Sequence, residues 1–340
     1  MKLSIVIICW NDRKVIANCL QSIFAGTRSI DFEVIISDNG STDGSPEFIR
    51  QHYPAVKVLE NHANLGFGKG NNVGIAATQG EYVLILNPDT IVHDGTLDRL
   101  VEFADRHSEA GAFGCRVLNP DGSYQGPARP FPSIRGYWIA ALYLRPLAYV
   151  SDAFIPDVYT GWKGDTEREI DWQSGCCVMF RGKLLKELGG FDEQFFYHYE
   201  EVDLCKRARN AGHPMLFTPE ATITHLGGQS VNRFPIRFAL EAFRNRYRYF
   251  YKHHGVKGAW RCRRVSIVSV RLRQWGYGLI KMVRPTDGIR GRLEMYRVLL
   301  RWNQDLDPVR FVEKGEEPEV GQANSAPAGD ARPTVVRPSL

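Results

Sequence analysis

The sequence predicts an α/β fold of the Rossmann-like kind, with a mostly parallel central sheet and helices on both faces. Leu3–Cys9, Phe32–Ser37 and Glu81–Leu86 are short, continuous apolar runs, which is the pattern of strands buried on both faces. Residues 14–25 and 46–52 lie between them and space their apolar side chains as helices do. Strands and helices that alternate at this spacing form parallel sheets.

Polar side chains follow these strands at the point where each strand ends. Asn11 comes after the first strand, Asp38 and Asn39 after the second, and Asn87 and Asp89 after the third. Ligands of open α/β sheets bind beyond the carboxyl ends of the strands. The sequence therefore predicts that these five residues line one ligand site.

The composition is that of a globular protein, with 340 residues, 44% hydrophobic and 24% charged. The seven cysteines are scattered without CxxC spacing, which argues against a disulfide framework or a zinc site and favours a reducing compartment. Cys176 and Cys177 lie in an apolar run and are predicted to be core residues. The amino terminus lacks the pattern of a signal peptide, and no apolar window is long enough to span a membrane. We therefore expect a cytoplasmic protein.

The regular pattern is interrupted in the middle of the chain and changes near its end. Residues 126–171 are rich in proline and aromatic residues, which indicates a variable segment, with one apolar helix predicted at 137–149. A strand at 177–181 and a helix at 183–188 restore the pattern. Residues 233–302 are helical in character, and the Pro-, Ala- and Gly-rich residues 314–340 are predicted to be disordered.

Charge is divided unevenly along the chain. Residues 233–302 hold 18 Lys/Arg and 3 Asp/Glu, whereas the rest of the chain has an excess of acidic residues. This asymmetry predicts an anionic partner, either an anionic membrane surface or a lipid diphosphate. The alternative is a solvated helical face that packs on the α/β domain. No nucleic-acid partner is expected, because no recognised binding motif accompanies the charge.

Three carboxylates, Glu200, Glu201 and Asp203, crowd the start of a predicted helix just after an aromatic run. Acidic residues suit a helix amino terminus because of its dipole, which is the structural interpretation. Three of them within four residues exceed what capping needs. We therefore expect one to have a raised pKa and to act as a general base.

The other candidate positions are ambiguous when each is taken alone. Asp38 suits a hydrogen bond to a pyrimidine edge or a simple turn, and Asp89 suits a divalent cation or an Asx-Pro turn. His225 is either a metal ligand or structural. The glycine-rich segment 64–74, with Gly66, Gly68 and Asn71, can bring backbone N–H groups to phosphate or ribose, although its spacing is not that of a P-loop.

Taken in order, these motifs resemble family 2 glycosyltransferases of the GT-A fold, particularly their bacterial rhamnosyltransferase-like branch. The resemblance covers roughly residues 1–250 and rests on Ser4–Asn11, Asp38–Gly44, Asn64–Gly74, Leu86–Asp89, Ser174–Gly175, Gly189–Glu193, Tyr199–Leu204 and His225. The ordered series is far more specific than any single motif.

The resemblance implies an inverting transferase that takes a nucleotide-diphosphate sugar, dTDP- or UDP-linked, with Mg²⁺ or Mn²⁺. It places the pyrimidine base on Asp38, the metal on Asp89, and the general base at Glu201. Glu200 and Asp203 are the alternative catalytic residues. Two departures from the family pattern are Asn87, where the family has an aspartate, and Glu201, which is longer than the usual aspartate. The remaining predicted site residues are the metal ligand His225 and the donor-binding Asn11, Asn39, Gly66, Gly68, Asn71 and Asn87.

The domain layout implied is a GT-A catalytic domain at 1–232, with a nucleotide-binding half (1–90) and an acceptor-binding half (91–232). A basic, aromatic helical extension (233–313) and a disordered tail (314–340) follow. The acceptor implied is a hydroxyl of a cell-envelope glycan or lipid-linked oligosaccharide, and the sugar is rhamnose or another hexose. The alternatives are a sugar nucleotidyltransferase, whose Gly-rich Lys/Arg signature is absent near the first strand, and an inactive binding module, which would have lost the carboxylates.

Overall fold

The computed structural model describes residues 1–144, 146, 158–159, 161–227 and 235–319. These residues form two compact units. The α/β unit contains residues 1–129 and 162–227, and the helical unit contains the described parts of 130–161 and 235–319. The remaining residues include most of the predicted tail, 320–340, which lies outside the described part of the chain.

A nine-stranded sheet forms the centre of the α/β unit, and two further short strands pair beside it. The strands are β1 (Leu3–Cys9), β2 (Phe32–Asp38), β3 (Lys57–Glu60), β4 (Tyr82–Leu86), β5 (Thr90–Val92), β6 (Ala112–Leu118), β7 (Ala128–Arg129), β8 (Arg168–Ile170), β9 (Trp172–Gln173), β10 (Cys177–Arg181) and β11 (Met215–His225). Strands β7 and β9 make the separate two-stranded pair.

The main sheet has the order β3-β2-β1-β4-β10-β6-β11-β5, with β8 beside β11. Strands β1 to β4 pair in parallel, as the sequence predicts. Strand β10 lies antiparallel between β4 and β6, and β5 and β8 lie antiparallel to β11. The chain enters β10 at the carboxyl end of β4, where Cys177 lies opposite Leu86, so β10 must run back through the sheet. Strands β6 and β11 pair in parallel as well, so parallel pairs form both halves of the sheet and β10 joins them.

Six helices of the α/β unit are described, and apolar side chains hold them to the sheet. One core cluster joins Leu3, Ile5 and Ile7 of β1 with Leu20 and Ile23 of the first helix. Each such fully buried aliphatic side chain contributes about 1.5–3 kcal/mol. All seven cysteines, including Cys176 and Cys177, are buried and free, which confirms their prediction as core residues. The helices are α1 (Ile16–Gly26), α2 (Ser45–His52), α3 (Phe67–Ala76), α4 (Thr96–Arg106), α6 (Gly182–Glu187) and α7 (Glu200–Asn210).

The helical unit consists of α5 (Ile134–Ala141), α8 (Pro235–Val283), α9 (Asp287–Asp305) and α10 (Pro308–Lys314). Helix α5 begins earlier than the predicted helix at 137–149, of which positions 145 and 147–149 lie outside the described residues. Helix α8 is interrupted at Gly255, whose φ of 64° is not helical. No helix among the described residues combines the length and apolarity that crossing a bilayer requires.

Candidate active site

The carboxyl end of β2 holds a buried acid. Asp38 pairs in register with Cys9 of β1 and is 2% exposed. Its Oδ2 accepts the backbone N–H groups of Gly40 (3.0 Å) and Ser41 (2.9 Å). Its Oδ1 is buried and has no hydrogen-bond partner among the described residues. Leaving a buried acceptor unpaired typically costs about 1–3 kcal/mol, so Oδ1 is suited to an N–H group of a ligand.

Asn11 and Asn39 hold the surrounding loops together. Asn11 adopts a left-handed conformation (φ 59°), and its Oδ1 accepts the N–H of Thr42 at 2.8 Å. The side chain of Asn39 donates to the carbonyl of Gly66 (3.1 Å) and accepts from Asn61 (2.9 Å). Both side chains therefore have protein partners, and their contact with a donor substrate stays a prediction.

Most of the glycine-rich segment lies in helix α3, which begins at Phe67 directly after Gly66. Gly66 has φ 82°, and a Cβ there would lie 2.5 Å from the carbonyl oxygen of Phe196. Gly70 lacks room for a side chain because a Cβ would lie 2.4 Å from Cδ1 of Ile8. The glycines thus allow α3 to pack closely on β1 and on the aromatic run before α7.

Two other predicted donor-binding residues of this segment are also packed inside it. A Cβ at Gly68 would lie 3.2 Å from Cβ of Phe191. Asn71 is fully buried and donates to the carbonyl of Phe67 at 2.9 Å, while its Oδ1 has no partner among the described residues. Phosphate or ribose binding by Gly66, Gly68 and Asn71 stays a prediction.

The carboxyl end of β4 brings Asp89 to His225. Asp89 immediately precedes β5, which pairs antiparallel with β11 so that Thr90 lies opposite His225. Asp89 Oδ1 is 3.3 Å from His225 Nε2, and the Asn87 side-chain amide is 3.4 Å from the same nitrogen. The strand pairing thus joins three predicted site residues that are distant in the sequence.

Gln125 orients the imidazole of His225. The Gln125 Nε2 donates to Asn119 Oδ1 (2.9 Å) and to the His225 carbonyl (3.2 Å), which leaves its Oε1 facing His225 Nδ1 at 2.8 Å. In the neutral imidazole Nδ1 carries the hydrogen, which leaves the lone pair of Nε2 on the side of Asp89. Sequence reasoning missed Gln125, because a lone glutamine in an irregular segment has no distinguishing signal.

The donor set at Asp89 and His225 fits a divalent cation. A carboxylate oxygen and a bare imidazole nitrogen 3.3 Å apart present lone pairs to each other, which favours a cation between them. Two adjacent ligands about 2.1 Å from one octahedral ion are themselves about 3 Å apart. Among the described residues, no group of three or more His, Cys, Asp or Glu side chains is arranged to hold a metal ion. The two-ligand set leaves the remaining positions for phosphate and water oxygens.

A strained turn positions the carboxylates of α7. His198 (φ 71°) and Tyr199 (φ 75°) are consecutive non-glycine residues in the left-handed region, and Tyr199 is the N-cap of α7. Each such residue costs roughly 1–2 kcal/mol. Strain of this kind persists where the surrounding structure fixes the backbone, and it clusters at active sites.

Glu200 and Glu201 place two neighbouring carboxyls at the start of α7. The Oε2 atoms of both are buried without a hydrogen-bond partner among the described residues. Burial raises the pKa of both side chains, and the charge of Glu201 raises the pKa of Glu200 further. Backbone N–H groups, including that of Gly175, favour the ionised form of Glu201. Backbone N–H groups also favour the ionised form of Glu200, but its deeper burial and the charge of Glu201 oppose that ionisation, so Glu201 is the more readily ionised of the two.

Asp203 differs from its two neighbours because it is fully buried and paired. Its Oδ2 accepts from Nε of Arg207 at 2.7 Å, and Arg207 also donates to the carbonyls of Leu188 and Gly190. This network fixes the first turn of α7 to the turn after α6. The structure thus gives Asp203 an anchoring contact.

Further contacts bring these acidic positions to one edge of the sheet. Burial raises the pKa of Tyr197 to about 12, and the charges of Glu200, Glu201 and Asp89 also raise it. The carbonyl of Cys176 accepts the N–H of Asn87 at 3.0 Å, next to Gly175 and Glu201. Asp38 lies at the same edge, since β2, β1 and β4 are neighbouring parallel strands.

Comparison with known proteins identifies the family. The profile described as "Glycosyl transferase family 2" matches residues 4–189. The chain is 34% identical over 248 residues to the N-acetylglucosaminyl-diphospho-decaprenol L-rhamnosyltransferase of Mycobacterium tuberculosis, an alignment that covers 67% of this chain and 76% of that protein. It is 24% identical over 206 residues to the rhamnosyltransferase WbbL of Escherichia coli K12, with 57% and 72% coverage.

Two solved structures share the fold. The Pyrobaculum calidifontis mannosyltransferase PcManGT in complex with GDP-Man and Mn²⁺ superposes with a TM-score of 0.54 at 16% identity, covering 89% of this chain and 88% of that chain. TarS 1–349 of S. aureus in complex with UDP-GlcNAc gives 0.52 at 16% identity, covering 89% and 92%. The mixed sheet and the family match together confirm the predicted GT-A fold, and the chain belongs to glycosyltransferase family 2.

Proposed function

We propose that this glycosyltransferase moves rhamnose or another hexose from a dTDP- or UDP-linked sugar to a hydroxyl of a lipid-linked or cell-envelope glycan, with inversion. The carrying observation is that Glu200 and Glu201 each keep a buried Oε2 without a partner among the described residues, at the same edge of the sheet as the Asp89–His225 pair. Two relatives are rhamnosyltransferases, and one of them is named for a decaprenol-diphosphate acceptor, which supports this sugar and acceptor class.

Asp38 is the proposed reader of the nucleotide base. Its unpartnered Oδ1 accepts a hydrogen bond, and uracil and thymine both offer an N3–H donor, whereas neutral cytosine has none at that position. Its Oδ2 is already held by two backbone N–H groups, so the carboxylate is fixed before the base arrives. Such preorganisation reduces the entropy lost on binding.

Asp89 and His225 are the proposed holders of Mg²⁺ or Mn²⁺, with Asn87 beside them and Gln125 fixing the imidazole. When bound, the ion neutralises negative charge on the departing nucleotide diphosphate. The protein supplies one carboxylate and one imidazole to this site.

Glu201 is the proposed general base. It removes the proton of the acceptor hydroxyl while that oxygen bonds to the anomeric carbon and the bond from this carbon to the diphosphate oxygen breaks. A single displacement inverts the anomeric configuration. A carboxylate whose pKa is raised by burial is a stronger base than an ordinary glutamate.

A donor screen with the full chain tests this function. Purified protein with Mn²⁺ or Mg²⁺ is incubated with dTDP-rhamnose, UDP-glucose, UDP-GlcNAc or GDP-mannose, and with a polyprenyl-diphosphate GlcNAc acceptor. We expect transfer from a uracil or thymine nucleotide and, by NMR, a product of inverted anomeric configuration. Retention of configuration, or transfer from none of the pyrimidine donors, would contradict the proposal.

A further inference from the structure

The end of α8 carries an apolar stripe on its outer surface. We define this stripe as Trp275, Leu279, Met282 and Val283, which are 75%, 61%, 76% and 81% exposed. Their spacing of i, i+4, i+7 and i+8 places all four on one face of the helix. Helical apolar faces of this kind are normally buried against another element, so an exposed one indicates an interaction surface.

Tyr277 lies on the same turns of α8 as the stripe, and its side chain contacts α9. The rings of Tyr277 and Tyr296 lie 5.5 Å apart, and Arg292 donates to the Tyr277 hydroxyl at 2.5 Å. The α8–α9 hairpin therefore forms through the Tyr277 side. Its packing does not require the stripe.

Basic residues surround the stripe. Residues 271–301 contain eight Lys/Arg and two Asp/Glu. Arg271, Lys281, Arg284 and Arg290 are all exposed, and Asp287 lies 3.8 Å from Arg290 in a fully solvated pair. The combination is an apolar strip edged by cations, with a tryptophan at one end.

We propose that this surface docks on an anionic phospholipid membrane. The stripe enters the boundary between headgroups and acyl chains, Trp275 lies at the interface, and the flanking Lys/Arg contact lipid phosphates. Charge complementarity selects this partner over a second copy of the chain, because pairing two such faces would bring their cations together. The proposal goes beyond the proposed function and does not depend on the identity of the sugar.

Vesicle flotation of the full chain tests the proposal. The vesicles are phosphatidylcholine alone or with phosphatidylglycerol, at low and high salt. A stripe variant changes Trp275, Leu279, Met282 and Val283 to Ser, and a charge variant changes Arg271, Lys281 and Arg284 to Gln. Val256→Ser is the matched control, because Val256 is a 49% exposed apolar residue of α8 outside the stripe.

We expect the unaltered protein and the control to float with anionic vesicles and not with neutral ones. The stripe variant should bind at least tenfold more weakly, and the charge variant about 100-fold more weakly at low salt, since each Lys/Arg near the surface contributes roughly a fivefold factor. Circular dichroism and binding of UDP should be unchanged in both variants, which separates this test from that of the glycosyltransferase function.

Two results would overturn the proposal. One is a failure of the unaltered protein to bind anionic vesicles, or equal binding by the stripe variant. The other is a dimer in sedimentation velocity that the stripe substitutions dissociate while vesicle binding is unaffected, which would assign the stripe to self-association.

Discussion

Buried charged groups have different contacts in the helical unit and at the carboxyl edge of the sheet. In the helical unit, Arg244 is buried and forms ion pairs with Glu241 (3.0 Å) and Glu317 (2.6 Å). At the sheet edge, Asp38, Glu200 and Glu201 each keep a buried oxygen without a hydrogen-bond partner among the described residues.

This difference distinguishes charged groups that stabilise the fold from charged groups that are suited to binding a ligand. A buried ion pair with both partners present is costly to break and offers nothing to a substrate. A buried carboxyl oxygen without a hydrogen-bond donor destabilises the fold. Such an oxygen is retained at sites where a bound ligand supplies the donor or where the carboxyl transfers a proton. Substitutions in the two regions should therefore affect different measurements.

The largest expected effect follows from replacing Glu201, the proposed general base. Glu201→Gln removes the proton acceptor but keeps the shape of the side chain, so sugar transfer should fall about 10²–10⁴-fold. The affinity for the donor's nucleotide, measured by calorimetry with UDP and Mn²⁺, should remain within a fewfold of that of the unaltered protein. Full transfer activity in this variant would eliminate Glu201 as the base.

Glu200→Gln is the matched control, because it replaces the neighbouring buried carboxyl and leaves Glu201 in place. Since Glu200 is not the proposed base, transfer should remain within about tenfold. The acid limb of the kcat/KM profile should persist in this variant, since loss of activity at low pH reports protonation of Glu201. Because burial raises the pKa of Glu201, that limb should lie above pH 4.5, the usual pKa of glutamate. An acid limb that disappears with Glu200→Gln would transfer the base role to Glu200.

The second expected effect concerns the paired region. Arg244→Met removes the guanidinium that pairs with the buried carboxylate of Glu241, so the free energy of unfolding should fall by about 3–5 kcal/mol. Urea unfolding measures this loss, and the double substitution Glu241→Met with Arg244→Met should recover much of it. Donor affinity at a permissive temperature should be unchanged. A loss below about 1 kcal/mol would contradict the assigned stabilising role.

Sequence patterns predicted the strands of the first half well, because continuous β-branched runs determine buried parallel strands with few alternatives. The strand predicted at 32–37 is observed as Phe32–Asp38, and Leu3–Cys9 coincides with its prediction. The role of the glycine-rich segment was harder to predict, since glycine allows both the close approach of a ligand to the backbone and the close packing of a helix. The structure shows close packing at Gly70, where a Cβ would lie 2.4 Å from Cδ1 of Ile8, and ligand approach at Gly66 and Gly68 stays a prediction.

The candidate site was only partly predictable, because its geometry depends on strand pairing between distant segments. The sequence indicated Asp89 and His225 separately, and the β5–β11 register joins them. It grouped Asp203 with Glu200 and Glu201, because three adjacent carboxylates look alike until Arg207 is seen to pair with one. Gln125 was missed because its role depends on two contacts of its side-chain amide, and these contacts have no recognisable pattern in the sequence.

The third expected effect is on nucleotide binding. Asp38→Asn keeps an oxygen for the N–H groups of Gly40 and Ser41 but removes the charged acceptor at Oδ1. Affinity for UDP should fall about 10–100-fold, which corresponds to one charge-assisted hydrogen bond. Asp43→Asn is the matched control in the same loop, because both Asp43 oxygens have partners, Arg13 N–H and Ser45. Its UDP affinity should change less than threefold, and equal losses in the two variants would contradict base recognition by Asp38.

The smallest expected effect tests how Gln125 orients His225. Gln125→Met removes the acceptor at Nδ1, which frees the imidazole to rotate and to change tautomer, so Mn²⁺ affinity should fall about tenfold. Electron paramagnetic resonance titration of free Mn²⁺ with UDP present measures this without any turnover. Gln125→Glu keeps the oxygen acceptor at Nδ1 but loses the N–H donor to Asn119 and to the His225 carbonyl, so it should retain more Mn²⁺ affinity than the methionine variant. If the methionine variant binds Mn²⁺ as tightly as the original protein, the metal-facing nitrogen is not fixed by this contact. Asp89 would then set the affinity, and the glutamine would belong with the partnered groups that only maintain the fold.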